Sequence, residues 1–137
     1  MTRPSTPIRI LLVDDSEHVL WGLGKLFEAV WPRMSVVGKV KSVGEVPAAL
    51  RSAKPDVILL DIYLGDDNTL DYLPGLLRDT DAQVLVLTGA NDLTLHDRAL
   101  SLGARAVVLK DQPAHVLLTA ILDVHAHPVR RGGLEWR

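Results

Sequence analysis

Cysteine is absent from this 137-residue chain, which excludes a disulfide framework and a thiolate metal site and agrees with a reducing compartment. No apolar run approaches the roughly 20 residues of a membrane span. The opening Met1-Thr-Arg-Pro-Ser-Thr-Pro7 carries one basic residue and no apolar core, so it does not read as a secretory signal. The expected location is the cytoplasm, without membrane attachment. An excess of positive charge is also missing: 15 Lys and Arg stand against 17 Asp and Glu, a net charge of −2. A chain that grips nucleic acid by itself needs a basic stripe to neutralise phosphates. The basic pair Arg130-Arg131 beside Gly132-Gly133 reads as a solvated tail, so no DNA binding is expected of this chain itself. Internal repeats, low-complexity segments and a second-domain pattern are lacking too. What remains is a single domain, large enough to bury about two thirds of its unfolded surface.

The chain is organised around Pro55-Asp-Val-Ile-Leu-Leu-Asp61, where four aliphatic residues run straight into a carboxylate. An unbroken, β-branched-containing run of this kind reads as a strand covered on both faces, the parallel-sheet pattern. Ile8 to Val13 has the same form and ends in Asp14-Asp15. Gln83 to Leu87 ends at Thr88, and Arg105 to Leu109 ends at Lys110. Met34 to Val40 alternates more and is the candidate for the sheet's edge.

Helical patterns fill the intervals. Ser16 caps a stripe of Val19, Leu20, Leu23, Phe27 and Val30 that stops at Pro32. Gly22 and Gly24 inside it each cost about 1 kcal/mol relative to Ala. Close packing explains them better than a dinucleotide site, since the third glycine and the helix-start position are lacking. A weaker helix runs from Val43 to Ser52 with Pro47 in its first turn. Asp66 to Thr69 reads as a loop and cap, followed by a short helix through Leu70, Leu73, Leu76 and Leu77 that Pro74-Gly75 disturbs. Asn91 or Asp92 caps Leu93 to Leu102, which Gly103 stops. Gln112 suits a cap position and Pro113 the first helical residue of the last helix, whose inward face is Val116, Leu117, Ala120, Ile121 and Val124. Leu118 and Leu122 fall outside that stripe and hint at a partner surface. Five strands alternating with five helices imply βαβ units with right-handed crossovers and a parallel sheet covered on both faces.

In a parallel sheet the strand ends share one edge, so Asp14, Asp15, Asp61, Thr88 and Lys110 converge there, at the edge where open α/β folds bind ligands. A lone acid after a strand is commonly a helix cap; four strand ends agreeing point to chemistry. Two carboxylates about 4 Å apart repel by about 4 kcal/mol at an effective dielectric near 20, so a positive charge belongs among them. An all-oxygen set with room for water suits Mg²⁺ and leaves positions for phosphate oxygens. With that charge and Lys110 present, one carboxylate can attack a phosphoryl group and become an acyl phosphate, while Thr88 donates a hydrogen bond to the transferred group.

Leu-Leu-Val-Asp14-Asp15, Pro-Asp-Val-Ile-Leu-Leu-Asp61, Leu-Thr88-Gly-Ala and Gly103-Ala-Arg-Ala-Val-Val-Leu-Lys110-Asp, in that order, resemble the motifs of the receiver domain of two-component response regulators. The resemblance runs from about Ile8 to Val124 and is joint across all four motifs. It implies a flavodoxin-like, doubly wound five-stranded parallel sheet of order 2-1-3-4-5 with five helices. The chain then divides into an N-terminal extension (1–7), a receiver domain (8–126) and a tail or linker (127–137). By the same resemblance Asp61 is the phosphoacceptor, and Asp14 and Asp15 hold Mg²⁺ together with Asp61 and the backbone carbonyl of Tyr63. Thr88 and Lys110 contact the phosphoryl oxygens. The implied partner is a sensor histidine kinase or phosphotransfer protein, with a homodimer left open. Gly22-Leu23 and Leu109-Lys110-Asp111 with Pro113 look most like the NarL/LuxR subfamily, whose helix-turn-helix output domain serves transcriptional control. No such domain follows here, so the chain is either a receiver cut from a longer regulator or a stand-alone one acting by protein–protein interaction or phosphorelay.

The sequence also departs from the family. Many receivers have Tyr or Phe three residues before the Lys; here Val107 stands there, and its β-branched side chain cannot swing like a ring. Gly65 replaces the family's usual Pro in the loop after the phosphoacceptor, which is expected to loosen the mouth of the site. Asp111 replaces a Pro that is often cis, and a cis non-Pro bond costs about 2.5–4 kcal/mol, so a trans bond is expected. Tyr63 and Ala90 occupy positions that tune acyl-phosphate lifetime in the family. Rival readings fit less well. An aspartyl-intermediate phosphatase wants a second acid where Tyr63 sits, and a pseudo-receiver would have lost part of the constellation. His125 and His127 cannot share a helix face for a metal, Ser16 and His18 are too close to Asp15 for a hydrolytic triad, and Trp21 and Trp31 read as packing or rim residues, with Trp136 in the tail. Self-dephosphorylation is expected only as a property of the switch, not as enzyme activity in the usual sense.

Overall fold

The computed structural model describes residues 6–129; Arg130, Arg131, Trp136 and the first five residues, with the readings that fell on them, lie outside the described residues. The elements in chain order are β1 (Ile8–Val13), α1 (Glu17–Ala29), β2 (Met34–Val40), α2 (Val46–Ala53), β3 (Val57–Leu60), β4 (Tyr63–Leu64), β5 (Asp67–Asn68), α3 (Leu73–Arg78), β6 (Gln83–Thr88), α4 (Leu93–Ser101), β7 (Ala106–Leu109) and α5 (Ala114–Ala126). Five of the strands form one sheet in the order β2-β1-β3-β6-β7, with every neighbouring pair parallel. In chain order of the large sheet this is the expected 2-1-3-4-5, and β2 is an edge strand.

The unbroken apolar runs feed two separate cores, because successive side chains of a strand point to opposite faces. Leu11, Val13, Ile58, Leu60, Val84 and Val86 meet Val46 and Leu50 of α2, Leu73 and Leu77 of α3, and Ala99 of α4. Ile10, Leu12, Val57, Leu59, Leu85 and Leu87 meet Leu20 and Phe27 of α1 and Leu117, Ile121 and Val124 of α5. Among the described residues no helix is long and apolar enough to cross a membrane.

Several local expectations change. The acidic loop after β3 folds into a two-stranded antiparallel pair, β4 with β5, separate from the large sheet. The second helix begins as a 3₁₀ turn at Val43–Glu45, with Pro47 in the first turn of α2 proper. Pro74 lies in the first turn of α3 and opens that helix instead of disturbing it, since a first-turn N–H has no partner to lose. Pro113 is the N-cap of α5 rather than its first residue. Gly22 is exposed, and a Cβ there would meet nothing within 4 Å, so close packing does not explain it. Leu118 is half-buried against the α1/α5 core, leaving Leu122 as the exposed leucine of α5. Ser16 and Asp92 cap α1 and α4 as expected, their side chains accepting from Val19 N and Thr94 N.

Gly103 ends α4 at φ +117°, and a Cβ there would lie 2.5 Å from Leu77 Cδ1, so only glycine turns the chain from α4 into β7. At the opposite edge of the sheet from the strand ends, the buried Gln83 side chain grips the chain beyond α5. Its amide nitrogen donates to Val129 O (3.2 Å), and its oxygen accepts from Val129 N (3.1 Å) and from Arg105 (2.7 Å).

Candidate functional site

The sheet brings the sequence-predicted residues together at its carboxyl edge. Asp14 follows β1 and is buried, its backbone N–H bonded to Val40 O of β2 (2.9 Å). Asp61 follows β3, also buried, with its N–H bonded to Val13 O (3.0 Å). Thr88 closes β6 at 1% exposure, and its backbone carbonyl accepts from Lys110 N (2.9 Å), which aligns the end of β7 with it. Lys110 Nζ lies 2.7 Å from Asp14 Oδ2 and 2.7 Å from Asp61 Oδ2. Asp15 is exposed and joins from the rim: Asp14, Asp15 and Asp61 each offer a carboxylate oxygen, all within 4.8 Å of one another. The Lys110–Asp111 peptide is trans, as expected.

Two of the three carboxylates are also each held by a backbone donor. Asp14 Oδ1 accepts from Ser16 N (2.9 Å) at the start of α1, and Asp15 Oδ2 accepts from Gly65 N (2.8 Å) in the β4–β5 turn. The Thr88 hydroxyl oxygen accepts from Ala90 N (3.1 Å), which leaves its proton to donate. Burial is the largest influence on Asp61 and pushes its carboxyl above the ordinary range. The Lys110 hydrogen bond and charge pull it down by less, and the Asp14 charge adds to the rise. Burial pulls the Lys110 ammonium down, but its bonds to Asp14 and Asp61 and their charges more than offset this, so Lys110 is held above its ordinary value. One cation shared by two buried acids leaves the cluster short of positive charge.

Gly65 behaves contrary to expectation. With φ +58° it turns the β4–β5 hairpin, and its N–H ties that hairpin to Asp15, so the glycine fastens the mouth of the site where looseness was expected. Proline has no N–H to give and cannot adopt that φ. Two further residues were not singled out from sequence. His96 on α4 bonds through Nε2 to Ala90 O (2.7 Å), bracing the loop after Thr88. Thr69, 3% exposed, donates its hydroxyl to Asp61 O at 2.6 Å and lies 3.1 Å from Ile62 O, which also accepts Thr69 N at 2.7 Å. Its neighbour Asn68 is the cap, accepting from Leu70 N at 3.0 Å. Only the cap was legible from the loop composition. Tyr63 is half exposed on β4, paired with Asn68, and Val107 is half-buried in β7 opposite Val86.

The chain resembles known proteins in sequence and in fold. The chain is 39% identical over 121 residues to the DNA-binding transcriptional activator DevR/DosR of Mycobacterium tuberculosis, covering 87% of this chain and 55% of that protein. It is 29% identical to the transcriptional regulatory protein DesR of Bacillus subtilis, over 85% of this chain and 58% of that one. The chain thus spans about half the length of these curated relatives. Among solved structures it is similar to a LuxR-family two-component response regulator from Aurantimonas sp. SI85-9A1 (27% identity, TM-score 0.79, 88% of this chain and 86% of that one). It is also similar to the BeF₃-activated N-terminal receiver domain of Klebsiella pneumoniae RstA (26% identity, TM-score 0.77, 87% of this chain and 98% of that one). Residues 10–122 match the response regulator receiver domain, and the chain belongs to that family of signalling domains.

Proposed function

We propose that the chain is a phosphorylation-operated switch in which Asp61 receives a phosphoryl group from a sensor histidine kinase, a phosphotransfer protein or a small acyl phosphate. The observation that carries this reading is Lys110 Nζ 2.7 Å from both Asp14 and Asp61. It sits within a cluster of three carboxylates that lacks charge for neutrality. The donor set fits Mg²⁺: it is all oxygen, its members lie within 4.8 Å of one another, and its exposed member Asp15 leaves access from solvent. Asp14, Asp15, Asp61 and the Tyr63 carbonyl would hold the ion, which supplies positive charge against the phosphoryl oxygens when bound.

The residues of the chain divide the rest of the work. A carboxylate oxygen of Asp61 attacks phosphorus. The new P–O bond forms as the donor's bond to phosphorus breaks, releasing acetate from acetyl phosphate, or an imidazole from a phosphohistidine. Lys110 turns from the carboxylates to the phosphoryl oxygens, and Thr88 donates its hydroxyl proton to one of them. Hydrolysis of the mixed anhydride later returns the carboxylate. Val107 at the usual aromatic position makes the response through β6 and β7 weaker or differently routed than in receivers with a ring there. The transcriptional relatives support an output in gene control, exerted through a DNA-binding part outside this chain, in the cytoplasm, with a second copy of the chain as a further candidate partner.

The test is to incubate the chain with Mg²⁺ and acetyl phosphate and to compare intact mass and oligomeric state with Asp61→Asn. One added phosphoryl group on the wild type alone is the expected result. Equal labelling of both proteins removes Asp61 from the role.

A further inference from the structure

We propose that Thr69 is a positioning residue, a hydroxyl clasp that closes the loop behind Asp61 and so sets the shape of the metal-facing rim. The proposal rests on the reading of Asp61, Asp15 and the Tyr63 carbonyl given above. The loop leaves β3 at Asp61, turns at Gly65 and returns to Thr69, where the Thr69 hydroxyl donates to Asp61 O at 2.6 Å, across eight residues of sequence. The same residue's N–H donates to Ile62 O at 2.7 Å. Two successive peptide planes after the acceptor are therefore fixed by one residue, and the carbonyl that follows them is that of Tyr63.

The other flank of Asp61 is already rigid, since its N–H is bonded to Val13 O at 3.0 Å. Only the carbonyl side depends on a side chain. Thr69 is 3% exposed, so no solvent replaces its proton when the hydroxyl is removed, and the Asp61 carbonyl is left facing the protein interior without a donor. The effect travels two ways around the loop. It reaches the Tyr63 carbonyl directly. Through the Tyr63–Asn68 pairing of the hairpin it also reaches Gly65, whose N–H holds Asp15 Oδ2 at 2.8 Å. Two of the proposed oxygen ligands thus inherit their places from a residue that touches neither metal nor phosphate, in the way partners beyond the ligands orient metal sites generally.

Three substitutions separate this role from a purely structural one. Thr69→Val keeps the shape and removes the hydroxyl, Thr69→Ala removes hydroxyl and volume, and Thr69→Ser keeps the hydroxyl. Mg²⁺ affinity is read on the unphosphorylated chain from the Gly65 amide shift, with melting temperature measured alongside. Thr69→Val and Thr69→Ala are expected to bind Mg²⁺ about tenfold or more weakly while Thr69→Ser stays close to wild type, although Val and Ala differ in melting temperature. The clasp is overturned if Val binds Mg²⁺ as tightly as Ser, if the loss of affinity merely follows the loss of stability, or if the wild type binds no Mg²⁺. If neither Val nor Ala folds, the wild-type Thr69 hydroxyl proton carries the test: slow exchange and a shift on Mg²⁺ saturation support the clasp, and the absence of either overturns it. Acetyl phosphate labelling is run on the same samples. An unlabelled wild type with the Mg²⁺ difference intact removes the phosphoacceptor reading and keeps the clasp.

Discussion

Without Mg²⁺, Asp61→Asn should make this protein more stable at neutral pH, at the cost of its proposed chemistry. The carboxylate oxygens of Asp14, Asp15 and Asp61 lie within 4.8 Å of one another. At that separation two unit charges repel by about 3.5 kcal/mol at an effective dielectric near 20. Asp15 is exposed, so water reduces its share to under about 1 kcal/mol. Lys110 at 2.7 Å from Asp61 returns an attraction of about 6 kcal/mol on the same scale. Removing the ion from water still costs several kcal/mol, and that burial decides the sign: Asp61 is held above the ordinary carboxylate range. Asparagine keeps an oxygen for Lys110 and removes both the repulsion and the buried charge, for a gain on the order of 1–2 kcal/mol, or roughly 3–6 °C in melting temperature. Because the folded pKa lies above the unfolded one, the native state binds more protons than the unfolded state across the interval between them, and stability falls as pH rises through it. The advantage of Asp61→Asn should fade as pH falls through the ordinary carboxylate range and both states become protonated, and reach a plateau above the raised value. Mg²⁺ should narrow or reverse the difference, since an ion at ten times its dissociation constant stabilises the wild type by about 1.4 kcal/mol. The assay is thermal melting of both proteins from pH 3 to 8 in EDTA and in Mg²⁺. A wild type more stable than Asp61→Asn at pH 7 in EDTA, or a difference that ignores pH, would refute the charge balance.

Three other perturbations probe separate parts of the fold. Lys110→Met should destabilise by about 3 kcal/mol near neutrality, because it strands two buried acids. Since Lys110 is held above its ordinary value, the stability it gives is present below about pH 10 and lost as pH rises through its folded pKa, so chemical denaturation curves of the two proteins should converge at strongly alkaline pH. Gly103→Ala sets a Cβ 2.5 Å from Leu77 Cδ1 at φ +117°, and a loss of about 2–4 kcal/mol in urea unfolding is expected; a loss under half of that would mean the α4–β7 turn relaxes freely. Beryllofluoride with Mg²⁺ should move amide signals around Asp61 and Thr88 in the wild type but leave most of α4 unmoved, whereas Val107→Tyr extends the response along α4. Large shifts throughout α4 in the wild type would count against the role given to Val107.

The sheet and most of the site were legible because they follow from periodicity and topology alone. Val57–Leu60 is buried on both faces, so its apolar run is unbroken, and a parallel sheet must then bring Asp14, Asp61, Thr88 and Lys110 to one edge. What escaped depends on three-dimensional closure. The β4–β5 pair is two residues long on each side, too short to leave a period. The Thr69 clasp links residues eight apart through a loop whose path no local pattern specifies. Gly65 was misread because its worth lies in an N–H aimed at Asp15, a property of backbone direction rather than of composition. Pro113 moved by one residue, from first helical position to N-cap, and Pro74 was misread because α3 starts at Leu73 and not at Leu70, which puts the proline in the first turn.

Strand β6 fixes a length. Thr88 stands at one end among the strand ends that carry the acids, and Gln83 at the other, gripping Val129 where the chain leaves α5. Six residues of extended chain separate them by about 17 Å. For anyone attaching a reporter or effector after residue 129, that distance is the working dimension: the attachment point lies at the edge of the sheet opposite the acids. Gln83→Leu removes the side-chain bonds that hold Val129 there, five residues along the strand from Thr88.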